Sequence, residues 1–429
     1  MKIHIHTLGC KVNQFESQAL ETMFTQRGHQ VTESESGCDA VIINTCAVTA
    51  ESVRKSRQAV RRFKAENPGA VIGICGCWPQ AEPENAADLG DIVFGSGDKA
   101  AFVDSVERAF ITQENVLNVD NVFERREFEA LPPGSAASRT RALLKIEDGC
   151  VNFCAYCIIP YTRGRVRSLS LADCAKEAAA LAEAGYKEIV LTGIEIASYG
   201  RDLEGGPTLM DALCAIAHAA PECRIRLGSL EPRVVTEDFC RRASELSNLC
   251  PHFHLSLQSG CDATLERMRR KYDTGRFYES VALLRRYFPN CGITADLITG
   301  FPGETEEEFA QTLAFIEKCA FSSMHVFPYS VRKGTVAAEM DDQVDKKTKQ
   351  ERARRAAKLA SAMRERFLEA QTGTIQRVLF EQEEAPGVWS GHTENYAEVR
   401  AEGDNLHNTV ANVQILEARG GALWGKVLL

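Results

Sequence analysis

Apolar runs near residues 2–7, 40–44, 71–75 and 91–94 alternate with amphipathic stretches near 13–27, 50–66 and 79–89. Short apolar runs read as buried strands, and the helical periods between them as covering helices. This first third therefore predicts a doubly wound parallel sheet of flavodoxin-like or Rossmann-like type. A Pro-Pro-Gly-Ser-Ala-Ala-Ser segment at 132–138 reads as a linker. Beyond it, strand-like runs near 143–147, 188–192, 223–228, 252–257, 292–298 and 322–328 are each followed by a helical pattern. These βα units predict an open, partial (β/α)6 barrel with its binding residues at the strand carboxyl ends. From about residue 371 the pattern changes to short alternating runs with glycines, at 374–380, 387–390, 396–400, 408–416 and 422–428. Those runs predict a small C-terminal all-β barrel. The expected division of this α/β chain is 1–125, a linker at 126–139, then 140–370 and 371–429.

Composition narrows the setting. With 429 residues, 44% hydrophobic and 25% charged, the chain has enough apolar material for two or three packed units. It has no apolar run long enough to cross a membrane, and its opening Met-Lys-Ile-His-Ile-His-Thr lacks a signal-peptide core, so a cytoplasmic protein without membrane contact is expected. Cysteine accounts for 16 of the 429 residues, too sparse without an export signal for a disulfide framework. Cys174, Cys214, Cys223, Cys240, Cys250, Cys291 and Cys319 fall in apolar patterns and are expected in the core.

Two other groups of cysteines carry chemistry. Cys150, Cys154 and Cys157 form a Cys-x3-Cys-x2-Cys triplet after the first barrel strand. Three thiolates on one short loop can hold three irons of a [4Fe-4S] cluster and leave the fourth open to a ligand; a structural zinc knuckle is the alternative. Cys10, Cys46 and Cys77 each lie just past the carboxyl end of one of the first three strands. Such strand ends gather at one edge of a doubly wound sheet, so a second three-thiolate site is expected, the alternative being unrelated loop cysteines. Cys75 is a possible competitor for Cys77. Later barrel strands end in polar or glycine-rich segments at Gly193 and Glu195, Ser229 and Glu231, Gln258, and Gly300. Together these can bond a ribose, an amino group and a carboxylate, although each alone is also an ordinary turn or helix cap.

These motifs resemble the methylthiotransferases, radical S-adenosylmethionine enzymes. The resemblance runs from Cys10 to about Leu429, through Gly9-Cys10-Lys11-Val12-Asn13, Asn44-Thr45-Cys46-Ala47-Val48, Cys77, the Cys150 triplet, Leu255 to Gly260, Met268 to Tyr272, Phe301 to Glu306 and Phe327 to Thr335. It implies two [4Fe-4S] clusters, on Cys150, Cys154 and Cys157 and on Cys10, Cys46 and Cys77, with Tyr156 against the adenine of S-adenosylmethionine. It also implies reductive cleavage of that cofactor to a 5'-deoxyadenosyl radical, a reductant such as flavodoxin or ferredoxin, and a TRAM-like final barrel. An aromatic adenine C–H has no acidic or leaving-group character, which is why a radical is required. Family branches act on isopentenyladenosine in tRNA, on threonylcarbamoyladenosine in tRNA, or on a ribosomal protein aspartate. The segments Thr7 to Ser17 and Pro328 to Thr335 look most like the second, implying N6-threonylcarbamoyladenosine 37 beside the anticodon.

Charge complicates an RNA partner, because the net charge is −9 and phosphate binding needs clustered cations. Local sets exist at Arg54 to Lys64, at Arg163, Arg165 and Arg167, at Arg267 to Lys271 and at Lys346 to Lys358; each also reads as a solvated face. The tail from 371 carries eight acids against four bases, so RNA contact there requires a local face, with His392, Asn395, Tyr396 and Arg400 as candidates.

Overall fold

The computed structural model describes residues 1–134 and 140–428; of the expected linker at 126–139, residues 135–139 lie outside the described residues. The first sheet contains β1 (Lys2–Thr7), β2 (Gln30–Val31), β3 (Ala40–Thr45), β4 (Val71–Gly76), β5 (Ile92–Phe94) and β6 (Val116–Asn118). Their order is β2-β1-β3-β4-β5-β6, all parallel. In β3, β4 and β5 alternate residues bury in opposite layers, so these strands read as nearly unbroken apolar runs. Ile42, Cys75 and Phe94 pack with Leu20, Phe24 and Phe102 of helices Lys11–Gln26 and Lys99–Thr112. Val41, Ile43 and Ile74 pack with Val53, Val60 and Phe63 of helix Ala50–Glu66. Phe24, Phe63 and Phe102 are fully buried, each contributing roughly 2 kcal/mol. The helix expected at 79–89 is two pieces, Cys77–Ala81 and Pro83–Ala87, because Pro83 has no N–H to continue the first. The edge strands β2 and β6 carry too few residues to show a period, so the apolar pattern does not announce them.

The central region contains β7 (Arg141–Lys145), β8 (Glu147–Asp148), β9 (Arg167–Ser168), β10 (Glu188–Thr192), β11 (Arg224–Leu227), β12 (Ser229–Leu230), β13 (His252–Gln258), β14 (Gly292–Thr299) and β15 (Ser323–Pro328). The short β8 and β9 pair only with each other. Strands β7, β10 and β11 form one parallel sheet and β12 to β15 another. The strand predicted at 223–228 is β11; Gly228, whose amide donates to Leu191 O at 2.9 Å, ends it, and β12 then opens the second sheet. The result is a partial barrel, open between its edge strands β7 and β15. One core joins Leu144, Ile189, Ile225, Leu255 and Ala295 of the strands to Leu181, Leu213, Phe277 and Phe309 of the covering helices.

Helix Lys346–Glu369 gives Ala356, Ala360 and Met363 to that core and Leu368 to the next. The last strands, β16 (Ile375–Ala385), β17 (Val388–Thr393), β18 (Glu398–Glu402), β19 (Thr409–Arg419) and β20 (Ala422–Val427), close as β16-β17-β18-β20-β19 around Val378, Phe380, Val399, Val413 and Leu423. Closure leaves no free strand edge. No helix among the described residues is long and apolar enough to cross a membrane.

Candidate active site

Cys150, Cys154 and Cys157 occupy the loop between β8 and helix Ile159–Arg163. Gly149 opens that loop at φ +97°, and a Cβ there would meet Arg165 O at 1.9 Å, so only glycine allows the approach. Backbone bonds from Cys150 N to Gly164 O (2.9 Å) and from Ala155 N to Met268 O (3.0 Å) hold it in place. Arg270 Nη1 donates to Cys154 Sγ at 3.1 Å and lies 3.5 Å from Tyr156 Oη. Burial pushes the Cys157 thiol up to about 12 and raises Cys150 as well. Metal ligation deprotonates such thiols outright, and Arg270 stands where the resulting negative charge would appear.

The other three cysteines converge by a different route. Cys10 precedes helix Lys11–Gln26, Cys46 follows β3, and Cys77 begins its helix directly after β4. Gly76 makes the last turn possible: its φ is +102°, and a Cβ would lie 2.5 Å from Thr45 O. Cys10 lies within electrostatic range of Cys46 and Cys77, and Cys77 within range of Cys157. Although Cys10 is exposed, desolvation by the surrounding protein pushes its thiol up to about 11. Cys77 packs with Ala47 and with Ile158, next to Cys157, so the two sets face each other. Cys75 points into the opposite layer with Ile42 and Phe102.

Arg163 links the two sets. Its Nε donates to Cys77 Sγ at 3.3 Å, its Nη2 to Glu16 Oε2 at 3.1 Å and to Asn13 Oδ1 at 3.3 Å, and its Nη1 bonds Glu16 Oε1. Lys145 Nζ joins from β7, 3.7 Å from Glu16 and 3.3 Å from Asp148. Burial raises the Glu16 carboxyl, but Arg163, Lys99 and Lys145 outweigh it and hold the group below the ordinary range. Arg163 and Arg167, counted above as phosphate candidates, are 0% and 3% exposed and face protein carboxylates and carbonyls, so neither reaches RNA. A lone arginine carries no sequence signal for the thiol it will touch, and Arg163, Arg270 and Asn152 were legible only as neighbours of the motif.

The rim residues separate into two groups. Glu195 N donates to Glu147 Oε2 at 2.7 Å, Glu195 Oε2 accepts from Asn152 Nδ2 at 3.1 Å, and burial pushes the Glu195 carboxyl up to about 7. A Cβ at Gly193 would lie 2.8 Å from Glu147 Oε2. Glu231 pairs with Arg233 at 2.9 Å and lies in electrostatic range of Glu195. Ser229 is exposed on β12, and Gln258 ends β13 at φ +67°. Gly300 stands apart: its N–H donates to Glu304 Oε2 at 2.6 Å, and Glu304 is held by Arg352 at 2.9 Å.

Beside Cys10, at the open side of the barrel, lies a cavity of about 350 Å³ lined by Lys11, His254, Thr294, His325, Arg364 and Tyr396 among others. Asp296 accepts from His325 Nδ1 at 3.0 Å and lies 3.2 Å from His254 Nε2; its hydrogen bond raises the His325 pKa. Lys11 has no side-chain hydrogen bond or ion pair among the described residues. The final barrel forms one wall of this cavity. Tyr396 stacks between His252 (4.6 Å) and His392 (4.7 Å), Arg226 donates to Glu394 O (2.8 Å), and Asn395 Nδ2 to Asn290 O (3.1 Å). His392, Asn395 and Tyr396 therefore dock the barrel on the central strands instead of forming a free RNA face, and Arg400 is paired with Glu398 at 3.1 Å.

The radical SAM superfamily matches residues 144–316, and the uncharacterized protein family UPF0004 matches residues 2–95. The chain is 36% identical to the threonylcarbamoyladenosine tRNA methylthiotransferase MtaB of Bacillus subtilis, covering 97% of this chain and 94% of that one. It is 34% identical to the tRNA-2-methylthio-N(6)-dimethylallyladenosine synthase of Alkaliphilus oremlandii, covering 100% and 93%. Among solved structures, the radical S-adenosylmethionine methyltransferase TsrM from Kitasatospora setae superposes with a TM-score of 0.57 at 13% identity, over 79% of this chain and 77% of that one. That likeness is one of fold.

Proposed function

This chain belongs to the radical S-adenosylmethionine methylthiotransferase family, and we propose that it modifies tRNA at C2 of N6-threonylcarbamoyladenosine 37, giving the 2-methylthio nucleoside. Its cofactors are S-adenosylmethionine and [4Fe-4S] clusters. Cys150, Cys154 and Cys157 would hold the cluster with an iron free for S-adenosylmethionine, and Cys10, Cys46 and Cys77 the second. Cys46 and Cys77 are buried and the Cys150 triplet half-buried, and each set carries a guanidinium on one sulfur, which fits such negatively charged groups. Bound there, these groups supply the one-electron chemistry, the sulfur and the methyl group that an unactivated aromatic C–H requires.

The chain's own work is orientation and exclusion of water. Arg270 and Arg163 offset charge at the two thiolate sets, and the Glu16–Arg163–Asp148 network keeps the two sets facing each other. Tyr156, Gly193, Glu195, Ser229, Glu231 and Gln258 would line the S-adenosylmethionine site, with Gly300 shaping its floor through Phe301, which packs with Ala155 and Tyr156. A cytoplasmic location and a TRAM-like role for 371–429 belong to the same reading.

The cavity beside Cys10 carries the substrate assignment. A threonylcarbamoyl group ends in a carboxylate and a hydroxyl, which suit Lys11, Arg364 and the His325–Asp296 pair. An isopentenyl chain is hydrocarbon, and closing it into this cavity would desolvate Lys11 without a partner. The test offers anaerobically reconstituted enzyme three anticodon stem-loops, bearing threonylcarbamoyladenosine, isopentenyladenosine or plain adenosine, beside a ribosomal peptide containing the target aspartate. Mass spectrometry of the nucleosides and peptide should find the methylthio group on the first alone. Product on the isopentenyl RNA or on the peptide, with none on the first, would overturn the assignment.

A further inference from the structure

We propose that His4, His6 and Glu35 form a divalent-cation site on the first sheet, separate from both cysteine sets. His4 and His6 are two residues apart on β1, so both side chains leave the same face. Glu35 lies in the segment between β2 and β3. A nitrogen from each ring and a Glu35 carboxylate oxygen lie within 4.8 Å of one another.

A second observation points to the ion. His4 is only 8% exposed, and its Nδ1 lies 3.1 Å from Thr32 O. A carbonyl only accepts, so Nδ1 carries the proton and the neutral ring has its lone pair on Nε2. That Nε2 is buried without a hydrogen-bond partner among the described residues. Such an orphaned acceptor calls for an explanation, and a carbonyl on the opposite nitrogen is how proteins orient a metal-binding imidazole. Glu35 sits on a fixed loop, since Asn67 Nδ2 donates to Glu35 O at 2.9 Å and Cys38 N to Asn67 Oδ1 at 3.0 Å. Two imidazoles and a carboxylate suit Zn²⁺, Co²⁺ or Ni²⁺ over Mg²⁺ or Ca²⁺, with a coordination position left for water. The ion would tie this loop to the strand that leads to Cys10.

Arg62 is the competitor. Its guanidinium holds Glu35 through bonds of 2.8 and 3.1 Å and lies over the Phe63 ring at 4.3 Å. Metal and Arg62 therefore contend for one carboxylate, so removing Arg62 should tighten the metal.

The test titrates Co²⁺ into holoenzyme whose cysteine sites are already filled with iron, and reads the visible ligand-field bands. One equivalent should bind with nitrogen and oxygen ligands and no sulfur charge-transfer band. Binding should weaken at least about tenfold in His4→Gln and in Glu35→Gln, and tighten by about tenfold in Arg62→Ala. Glu35 and Arg62 lie at the surface, so their variants answer the question even if His4→Gln fails to fold. No extra equivalent, sulfur bands on the bound Co²⁺, or affinities unchanged in Glu35→Gln and Arg62→Ala would each overturn the site. These readouts do not depend on the RNA substrate.

Discussion

His325 and Lys11 decide how the cavity treats an anionic substituent. Asp296 raises the His325 pKa above 6.5, while Lys11 opposes that shift. The imidazolium therefore persists to higher pH than on a free histidine and is lost as pH rises through the raised value. Loss of the imidazolium leaves Asp296 less neutralised, so a substrate carboxylate should bind more weakly at high pH. The KM for threonylcarbamoylated RNA is expected to climb as pH rises through the raised His325 pKa, and His325→Gln should abolish the climb. Lys11→Met should raise KM about tenfold, with a smaller change in kcat. A pH profile of KM that is the same in wild type and His325→Gln would remove His325 from substrate binding.

Between elements, the junction of helix Lys11–Gln26, β7 and helix Ile159–Arg163 rests on ions buried together. Truncating one member of such a network leaves the other charge without water or partner, which costs about 3–5 kcal/mol. Arg163→Met should lower the urea midpoint accordingly, and adding Glu16→Leu should recover much of the loss. An Arg163→Met chain as stable as wild type would show that the network holds nothing together. Most elements here were legible in the sequence, because β3 and β4 are buried on both faces and the tail breaks into short strands at its glycines. The break at Pro83 interrupts a stretch whose period reads as one helix, because proline removes the N–H that would continue it. Less visible was the docking of the tail: His392 and Tyr396 look like surface polar residues until His252 and Arg226 come to face them. The passage from one sheet to the other at Gly228 depends on partners distant in sequence, which no local period encodes.

For the whole molecule, two cysteine sets of opposite construction face each other. The Cys150 triplet could be read directly, since spacing within one loop fixes its reach. The set of Cys10, Cys46 and Cys77 could be read only after a parallel sheet was assumed, because its members meet through topology. The charged frame around both, Arg163 with Glu16 and Arg270 on Cys154, was invisible, since those side chains find their partners only in the folded chain. Iron and sulfide counting after anaerobic reconstitution tests this arrangement most directly. About eight irons are expected in wild type, and about four both in the Cys150, Cys154, Cys157 triple Ala variant and in the Cys10, Cys46, Cys77 triple Ala variant. Four irons in wild type and none in the first variant would contradict the account, because the strand-end cysteines would then hold no cluster.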